Sequence, residues 1–230
     1  MRYTYLTVDF LILVVPLLYT WHPRIRYDRR FPALALSVAV VSPCYLAWDA
    51  LVTRRGEWSF NPRYVTGVDL FGLPVEEVLF FVVVPYSCLF IYESLPRFHG
   101  NRAVKLPPAW FVAAAVVLGL LAVLSSSGGY TWKALASCAA FLACGSLIKP
   151  GFVAGTRYWL WLAICYIPFL VFNSVLTMLP VVEYNAAAIL GPRVGTIPVE
   201  DFLYNYSLLS FYGLFYALFE DRREAPRFGP

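Results

Sequence analysis

Two pairs of adjacent carboxylates follow a proline at matching places in the two halves of the sequence. Pro-Val-Glu-Glu begins at Pro74, and Pro-Val-Glu-Asp begins at Pro198. The four acids are Glu76, Glu77, Glu200 and Asp201. Each pair opens an apolar segment, where an ionisable group facing lipid is costly, so we interpret both pairs as parts of a functional site. Crowded carboxyls can supply a general acid and a general base, so the motifs predict proton-transfer chemistry.

Glu76 and Glu200 are 124 residues apart, a separation that we call the repeat spacing. A second pair of positions has the same separation. Trp48-Asp49 ends the apolar segment before the first motif, and Phe172-Asn173 ends the one before the second. Asp49 is matched by Asn173, and Glu77 is matched by Asp201. The two halves are therefore chemically unequal, which favours one shared asymmetric site over two independent sites.

The protonation state of the acids depends on two opposing effects. A helix N-terminus stabilises an anion by about 0.3–2 kcal/mol, whereas burial and a neighbouring carboxylate favour the neutral form more strongly. We therefore expect at least one of the four acids to keep its proton. The simpler interpretation is an ordinary helix start, with proline first and acids in the next turn. That interpretation does not require the matching Asp49 and Asn173.

Aromatic residues are abundant near the acids. They make up 18% of the chain, more than the rings such as Trp21 and Trp110 that a membrane-interface belt accounts for. Aromatic faces stabilise a cation without reacting with it. We predict a substrate-binding pocket formed by Trp48, Trp58, Phe80, Phe81, Phe172, Tyr184, Tyr204 and Tyr206. An acid that protonates an alkene in such a pocket describes a carbocation cyclase for a hydrophobic polyene.

The elements that carry these residues are predicted to be membrane helices. Of the 230 residues, 60% are hydrophobic and 14% are charged, against about 25% charged in a soluble domain. Apolar runs of a length that can cross a bilayer occur near 4–20, 31–52, 74–95, 109–126, 131–149, 157–178 and 198–219. The predicted fold is all-α, a polytopic membrane helix bundle with about seven transmembrane helices.

The repeat divides this bundle into parts. We predict a three-helix repeat over 1–97, a linker with one transmembrane helix over 98–129, a second three-helix repeat over 130–221 and a polar cytoplasmic tail over 222–230. Three spans and one linking span precede the second repeat, so both repeats begin on the same side and are parallel. The acids, Asp49 and Asn173 are then expected at one depth, near the outer face.

The distribution of positive charge predicts the orientation of the chain. With seven spans, six Lys and Arg residues lie on the side of the N-terminus and twelve lie on the other side. The positive-inside rule then places the N-terminus outside and the C-terminus in the cytoplasm of a multi-pass cell-membrane protein. Topology thus accounts for the net charge of +4, and we expect no nucleic-acid partner.

The motifs resemble those of the lycopene cyclase domain family, the integral-membrane type found as two small subunits or as one fused chain. The first half of the resemblance rests on Trp48-Asp49, Glu57-Trp58-Ser59-Phe60-Asn61, the segment 73–81 and Tyr92-Glu93. The second half rests on Phe172-Asn173, Tyr184, the segment 197–202 and Phe219-Glu220. The resemblance covers nearly the whole chain, in the order that the family has.

The resemblance implies a reaction that converts the acyclic ψ ends of lycopene, or of a related carotenoid, into β-ionone rings without net redox change. A proton adds at C2, the C5=C6 bond attacks the resulting C1 cation, and a proton leaves from C6. The family then implies the four acids as acid and base, with Asp49 and Asn173 orienting them. We expect the donor to be Glu76 or Glu200, because each follows Pro-Val. Membrane lipid and other carotenoid-biosynthesis enzymes are the implied partners.

Rival functions agree less well with the sequence. A seven-helix retinal protein needs a lysine in its last helix, and the last lysine here is Lys149. A diphosphate-dependent transferase needs an aspartate-rich Mg²⁺ motif, and a flavin-dependent cyclase needs Gly-x-Gly-x-x-Gly; the sequence has neither, so we predict no cofactor and no metal. A proton-coupled transporter that uses the carboxylate cluster is the alternative function. The sequence leaves open whether β, ε or γ rings form and whether one or both ends of the substrate are cyclised. It also leaves open whether the substrate is a C40 or a C50 carotenoid.

Overall fold

The computed structural model describes residues 1–95, 107–125 and 129–224. Its helices are α1 (Thr4–Tyr19), α2 (Phe31–Arg54), α3 (Val75–Ser94), α4 (Pro108–Leu124), α5 (Gly129–Ile148), α6 (Pro150–Val153), α7 (Thr156–Met178) and α8 (Val199–Glu224). A single 3₁₀ turn, Tyr27–Arg30, precedes α2 among these residues. The short strands are β1 (Trp58–Phe60), β2 (Asp69–Leu70), β3 (Leu73–Pro74), β4 (Val182–Tyr184), β5 (Arg193–Val194) and β6 (Ile197–Pro198). The prediction of an all-α membrane helix bundle is confirmed.

The helices differ in how well they suit a bilayer. In the described ranges, four helical stretches are long and apolar enough to cross a membrane: Tyr27–Arg54, Val75–Ser94, Gly129–Ile148 and Thr156–Met178. Helices α1 and α4 are also apolar but have 16 and 17 residues, just below the length of about 20 that a span usually needs. Helix α8 carries acids in its first turn, as α3 does, and it also ends in a run of charged residues, which lowers its mean hydropathy.

The same order of elements occurs twice. A helix, a short strand and a two-stranded hairpin lead into α3, and the same series leads into α8. The hairpin β2–β3 pairs Asp69 with Pro74, and β5–β6 pairs Arg193 with Pro198, at the repeat spacing. The boundaries at 97, 130 and 221 stay a prediction. Residues 96–106, 126–128 and 225–230, which include the end of the predicted first repeat and parts of the predicted linker and tail, lie outside the described residues.

Strands β1 and β4 join the two series. They are antiparallel, with Trp58 opposite Tyr184 and Phe60 opposite Val182. By the repeat spacing Trp58 corresponds to Val182 and Phe60 to Tyr184, so each strand makes the contacts that its counterpart makes. This reciprocity is what a two-fold axis between the halves produces. The paired strands lie at the end of the bundle where α3 and α8 begin.

Candidate active site

The hairpins and prolines place the acids at the starts of α3 and α8. Pro74 ends β3 in an extended conformation, and α3 begins at the next residue. Pro198 ends β6, and α8 begins directly after it. Proline suits this position because it lacks the amide that a helix start leaves unpaired. Neighbouring residues on a helix point about 100° apart, so the two acids of each motif must face different surroundings.

The first acid of each motif faces the loop before its own helix. Glu76 Oε1 accepts a hydrogen bond from the backbone N–H of Thr66 at 2.6 Å. Glu200 Oε1 accepts one from the N–H of Leu190 at 2.6 Å and another from the Thr131 hydroxyl at 2.8 Å. Both side chains are fully buried. The two acids therefore fasten equivalent loops, and neither is among the described residues that line the central cavity.

Glu77, the second acid of the first motif, does line the cavity, and it contacts Asp49. The hydroxyl of Tyr5 donates to Glu77 Oε2 at 2.6 Å, and that of Tyr204 donates to Asp49 Oδ1 at 3.0 Å. The carboxyl groups of Asp49 and Glu77 are both buried and lie close enough to interact directly. Two neighbouring buried carboxyls cannot both carry a charge without a large cost, so one of them keeps its proton. The arrangement is therefore a carboxyl pair that holds a proton beside the cavity.

Asp201, the second acid of the other motif, has a different environment on the same cavity. Its Oδ1 accepts a hydrogen bond from the Tyr130 hydroxyl at 2.9 Å, and its Oδ2 accepts from the Tyr184 hydroxyl at 2.7 Å and from Asn173 Nδ2 at 2.9 Å. Burial, followed by the charge of Asp201, raises the pKa of Tyr184 well above its usual value, so that this hydroxyl stays a donor. Three donors favour the carboxylate form of Asp201.

The cavity that joins these groups has a volume of about 400 Å³. Five of the eight predicted aromatic residues line it: Trp58, Phe80, Phe172, Tyr184 and Tyr204. The side chains of strands β1 and β4 thus cover the acids at the loop end of the bundle. The wall combines two carboxyl-bearing surfaces with aromatic rings, which is the combination that acid-initiated cation chemistry needs.

The other three predicted aromatic residues lie elsewhere. Trp48 packs against the rings of Tyr45 and Tyr204, so it supports the wall from behind. Phe81 is fully buried in the helix core, because the helical turn after Phe80 directs it inward. Tyr206 packs against Phe141 and Trp159, away from the acids.

The sequence interpretation missed several residues of the site. Tyr5 and Tyr130 each donate to a cavity acid, and each lies near the start of the first helix of its repeat. Their separation is one residue more than the repeat spacing, a signal that could have paired them. Asp9 lies one turn after Tyr5 with 2% of its surface exposed. In the part of the chain that the structure describes, neither of its carboxyl oxygens has a hydrogen-bond partner.

A separate group of charges lies at the other ends of α3 and α8. Arg30 forms ion pairs with Glu220 and, at 3.5 Å, with Glu93. Arg157 lies 3.7 Å from Glu93, and its guanidinium is 3.9 Å from the ring centre of Tyr92. The acids of the Tyr92-Glu93 and Phe219-Glu220 motifs are therefore paired with arginines far from the cavity acids.

Comparison with known proteins agrees with this geometry. The curated relatives that the chain matches include bifunctional lycopene cyclase/phytoene synthases of fungi. The protein of Neurospora crassa is 35% identical over 95 residues, which are 37% of this chain and 16% of that protein. The protein of Gibberella fujikuroi is 33% identical over 103 residues, which are 41% of this chain and 17% of that protein. The matched stretches thus span less than a fifth of these relatives, and no solved structure gives a significant match.

A family model described as lycopene cyclase matches residues 2–95 and 129–219. These two stretches include both Pro-Val-acid motifs, the matching Asp49 and Asn173, and both paired strands. They also exceed half of the chain, and they correspond to the two series of elements that enclose the cavity. The chain therefore belongs to the lycopene cyclase family.

Proposed function

We propose that this chain is a carotenoid cyclase that converts acyclic ψ ends of lycopene, or of a related carotenoid, into β-ionone rings. The observation that supports the proposal most strongly is the pair of neighbouring buried carboxyls, Asp49 and Glu77, on the wall of an aromatic cavity. A protonated acid in apolar surroundings can transfer its proton to an alkene, and the surrounding rings can stabilise the cation that results. The reaction needs no redox partner.

Each step can be assigned to a group on the cavity wall. The Asp49–Glu77 pair donates a proton to C2 of the polyene end, which leaves a cation at C1. The C5=C6 bond attacks C1 and closes the ring, which moves the cation to C5. The carboxylate of Asp201 then removes a proton from C6, and the electron pair of that C–H bond forms the C5=C6 double bond. One proton is added to the polyene and one is removed, so the product is an isomer of the substrate; exchange with solvent then takes the proton from Asp201 and returns one to the Asp49–Glu77 pair.

This assignment differs from the expectation drawn from the motifs. Glu76 and Glu200 were the expected donors, but their bonds to Thr66 and Leu190 hold them against loops. The proposed donor is therefore Glu77, together with Asp49, and the proposed base is Asp201. Asn173 and the tyrosines Tyr130 and Tyr184 orient the base by donating hydrogen bonds to it.

Expression in a bacterial host that accumulates lycopene tests the proposed activity. We expect the red acyclic pigment to be replaced by cyclised carotenoid, which chromatography separates from lycopene by retention and absorption spectrum. The same membranes with an empty vector are the control. Unchanged lycopene in cells that contain the intact membrane protein would contradict the proposal. The alternative, a proton-coupled transporter, instead predicts proton flux in proteoliposomes with no change of pigment.

We also propose that the N-terminus lies outside the cell membrane and the C-terminus in the cytoplasm. The proposal rests on the two-fold excess of Lys and Arg on the side predicted to be cytoplasmic. A fluorescent reporter that matures only in the cytoplasm, fused to the C-terminus, is expected to fluoresce. A periplasmic phosphatase fused at the same place should stay inactive, and the opposite pair of results would reverse the orientation.

A further inference from the structure

The cavity continues well beyond the acids, along α3. Below Glu77 its α3 wall consists of Phe80, Val84, Ser87, Cys88, Phe90 and Ile91. From Glu77 to Ile91 a helix rises about 21 Å, most of the depth of a bilayer core of about 30 Å. The proton chemistry needs only the outer end of this space. The remaining length is an apolar surface that suits the chain behind a reacting polyene end.

The cavity lies in the gap between α1, α3 and α7. In the other half of the bundle the equivalent gap lies between α5, α8 and α2, and hydroxyl groups close it. The Tyr45 hydroxyl is 2.8 Å from Ser137 Oγ and 2.9 Å from Ser207 Oγ, which links α2 with α5 and α8. The hydroxyls of Ser42 and Tyr212 make a further link between α2 and α8 at 2.7 Å. These hydrogen bonds hold α2, α5 and α8 together, and none of the residues that make them is among the described residues that line the cavity.

On the cavity side the hydroxyls that correspond to Tyr45, Ser137 and Ser207 are replaced by apolar groups. By the repeat spacing, Tyr45 corresponds to Phe169 and Ser207 to Val83. Helices α1 and α5 are aligned through Tyr5 and Tyr130, and in this alignment Ile12 corresponds to Ser137. Both Phe169 and Ile12 line the cavity. The two halves therefore differ in a specific way, because the same gap is fastened in one and left apolar and open in the other.

The open gap reaches the outer surface of the bundle between α1 and α7. Leu11 and Val15 of α1 line the cavity and are also 50% and 56% exposed. A side chain that both lines a cavity and faces outward must lie at its opening. Ile167 and Val171 on α7 are 63% and 56% exposed, so the surface around the opening is apolar and would face lipid acyl chains in a bilayer.

We propose that the polyene enters from the bilayer between α1 and α7 and lies along α3, with its reacting end at the Asp49–Glu77 pair. The proposal rests on the proposed cyclase function and adds the route and the binding surface. The fastened gap between α2 and α5 excludes the route related to this one by the two-fold axis. A single chamber then takes one end of the polyene at a time, so a second ring requires a second binding event.

Large side chains at the opening test this route. We expect Leu11→Trp combined with Val15→Trp to lower kcat/KM for lycopene in liposomes by about tenfold or more, because extra volume in a packed passage is costly. Leu18→Trp is the matched control, because Leu18 lies on the same helix with 72% exposure and is not among the lining residues. It should leave kcat/KM within about twofold of the wild-type value, as expected for an exposed substitution.

A binding measurement separates failure of the route from failure of the chemistry. Lycopene is achiral, so its induced circular dichroism reports binding in a chiral site without requiring turnover. Wild-type protein and Leu18→Trp should induce the signal, whereas the folded double Trp variant should not. Binding in the wild type without ring formation would refute the cyclase and leave the route standing. A folded double Trp variant that binds and reacts like the wild type, or a control that fails equally, would overturn the route.

Discussion

Replacing Glu77 by Gln is expected to lower the rate of cyclisation by about 10²–10⁴-fold, the usual contribution of a general acid. Glutamine preserves the size of the side chain and can still accept the hydrogen bond from Tyr5. It cannot, however, release a proton to the polyene, and it removes one of the two neighbouring carboxyls that line the cavity. The measurement is kcat/KM for lycopene in liposomes, with protein amount and folding checked in detergent.

Glu76→Gln is the control for this variant, because it changes the adjacent acid of the same motif. Its amide oxygen can still accept the N–H of Thr66, so we expect near wild-type activity. Glu76→Ala would leave that buried N–H unpaired and is expected to lower the free energy of unfolding by about 1–3 kcal/mol. A severe catalytic loss in folded Glu76→Gln, with normal activity in Glu77→Gln, would reverse the assignment of the two acids.

Asp201→Asn is expected to lower formation of the β ring by a similar factor, about 10²–10⁴-fold. The asparagine amide has an NH₂ group in place of one carboxylate oxygen, and that group cannot accept the hydrogen bond that a tyrosine hydroxyl now donates there. The amide also cannot accept the proton from C6. The cation can still form in this variant, because the Asp49–Glu77 pair is intact. We therefore expect its residual product to include rings with the double bond displaced, formed by loss of a different proton.

Chromatography of the residual products distinguishes the roles of the two acids. Glu77→Gln should leave unreacted lycopene, whereas Asp201→Asn should give a changed ratio of ring isomers. The control is Glu200→Gln, which alters the adjacent acid that is bonded to Leu190 and Thr131. Unchanged formation of the β ring by Asp201→Asn would remove Asp201 from the reaction.

The sequence predicted the ends of the helices and the residues near the site because these depend on local chemistry. Proline followed by acids marks a helix start wherever it occurs, and the structure begins α3 and α8 there. The repeat spacing also brought Asp49 into the prediction, and Asp49 lies against Glu77. Which acid of each motif faces the cavity depends on the rotation of the helix against its neighbours. Local sequence carries no information on that rotation.

The same limit explains why the predicted pocket residues and the residues that line the cavity differ. Phe80 and Phe81 are adjacent and chemically alike, but only Phe80 reaches the cavity among the described residues. Tyr5 and Tyr130 have no motif around them, and their roles follow from the packing of α1 and α5 against the acids. The difference between the fastened and open gaps depends on Tyr45 and Phe169, whose significance is visible only after the helices are paired.

The most direct test of the account is one turnover in D₂O. Protein in excess over lycopene is equilibrated in D₂O, so that the exchangeable carboxyl protons become deuterons, and the product is analysed by mass spectrometry. Because the first step transfers an acid proton to carbon, the account predicts one deuterium at C2 for each ring formed. A cyclised product without deuterium would show that ring closure does not begin with a proton from the carboxyl pair.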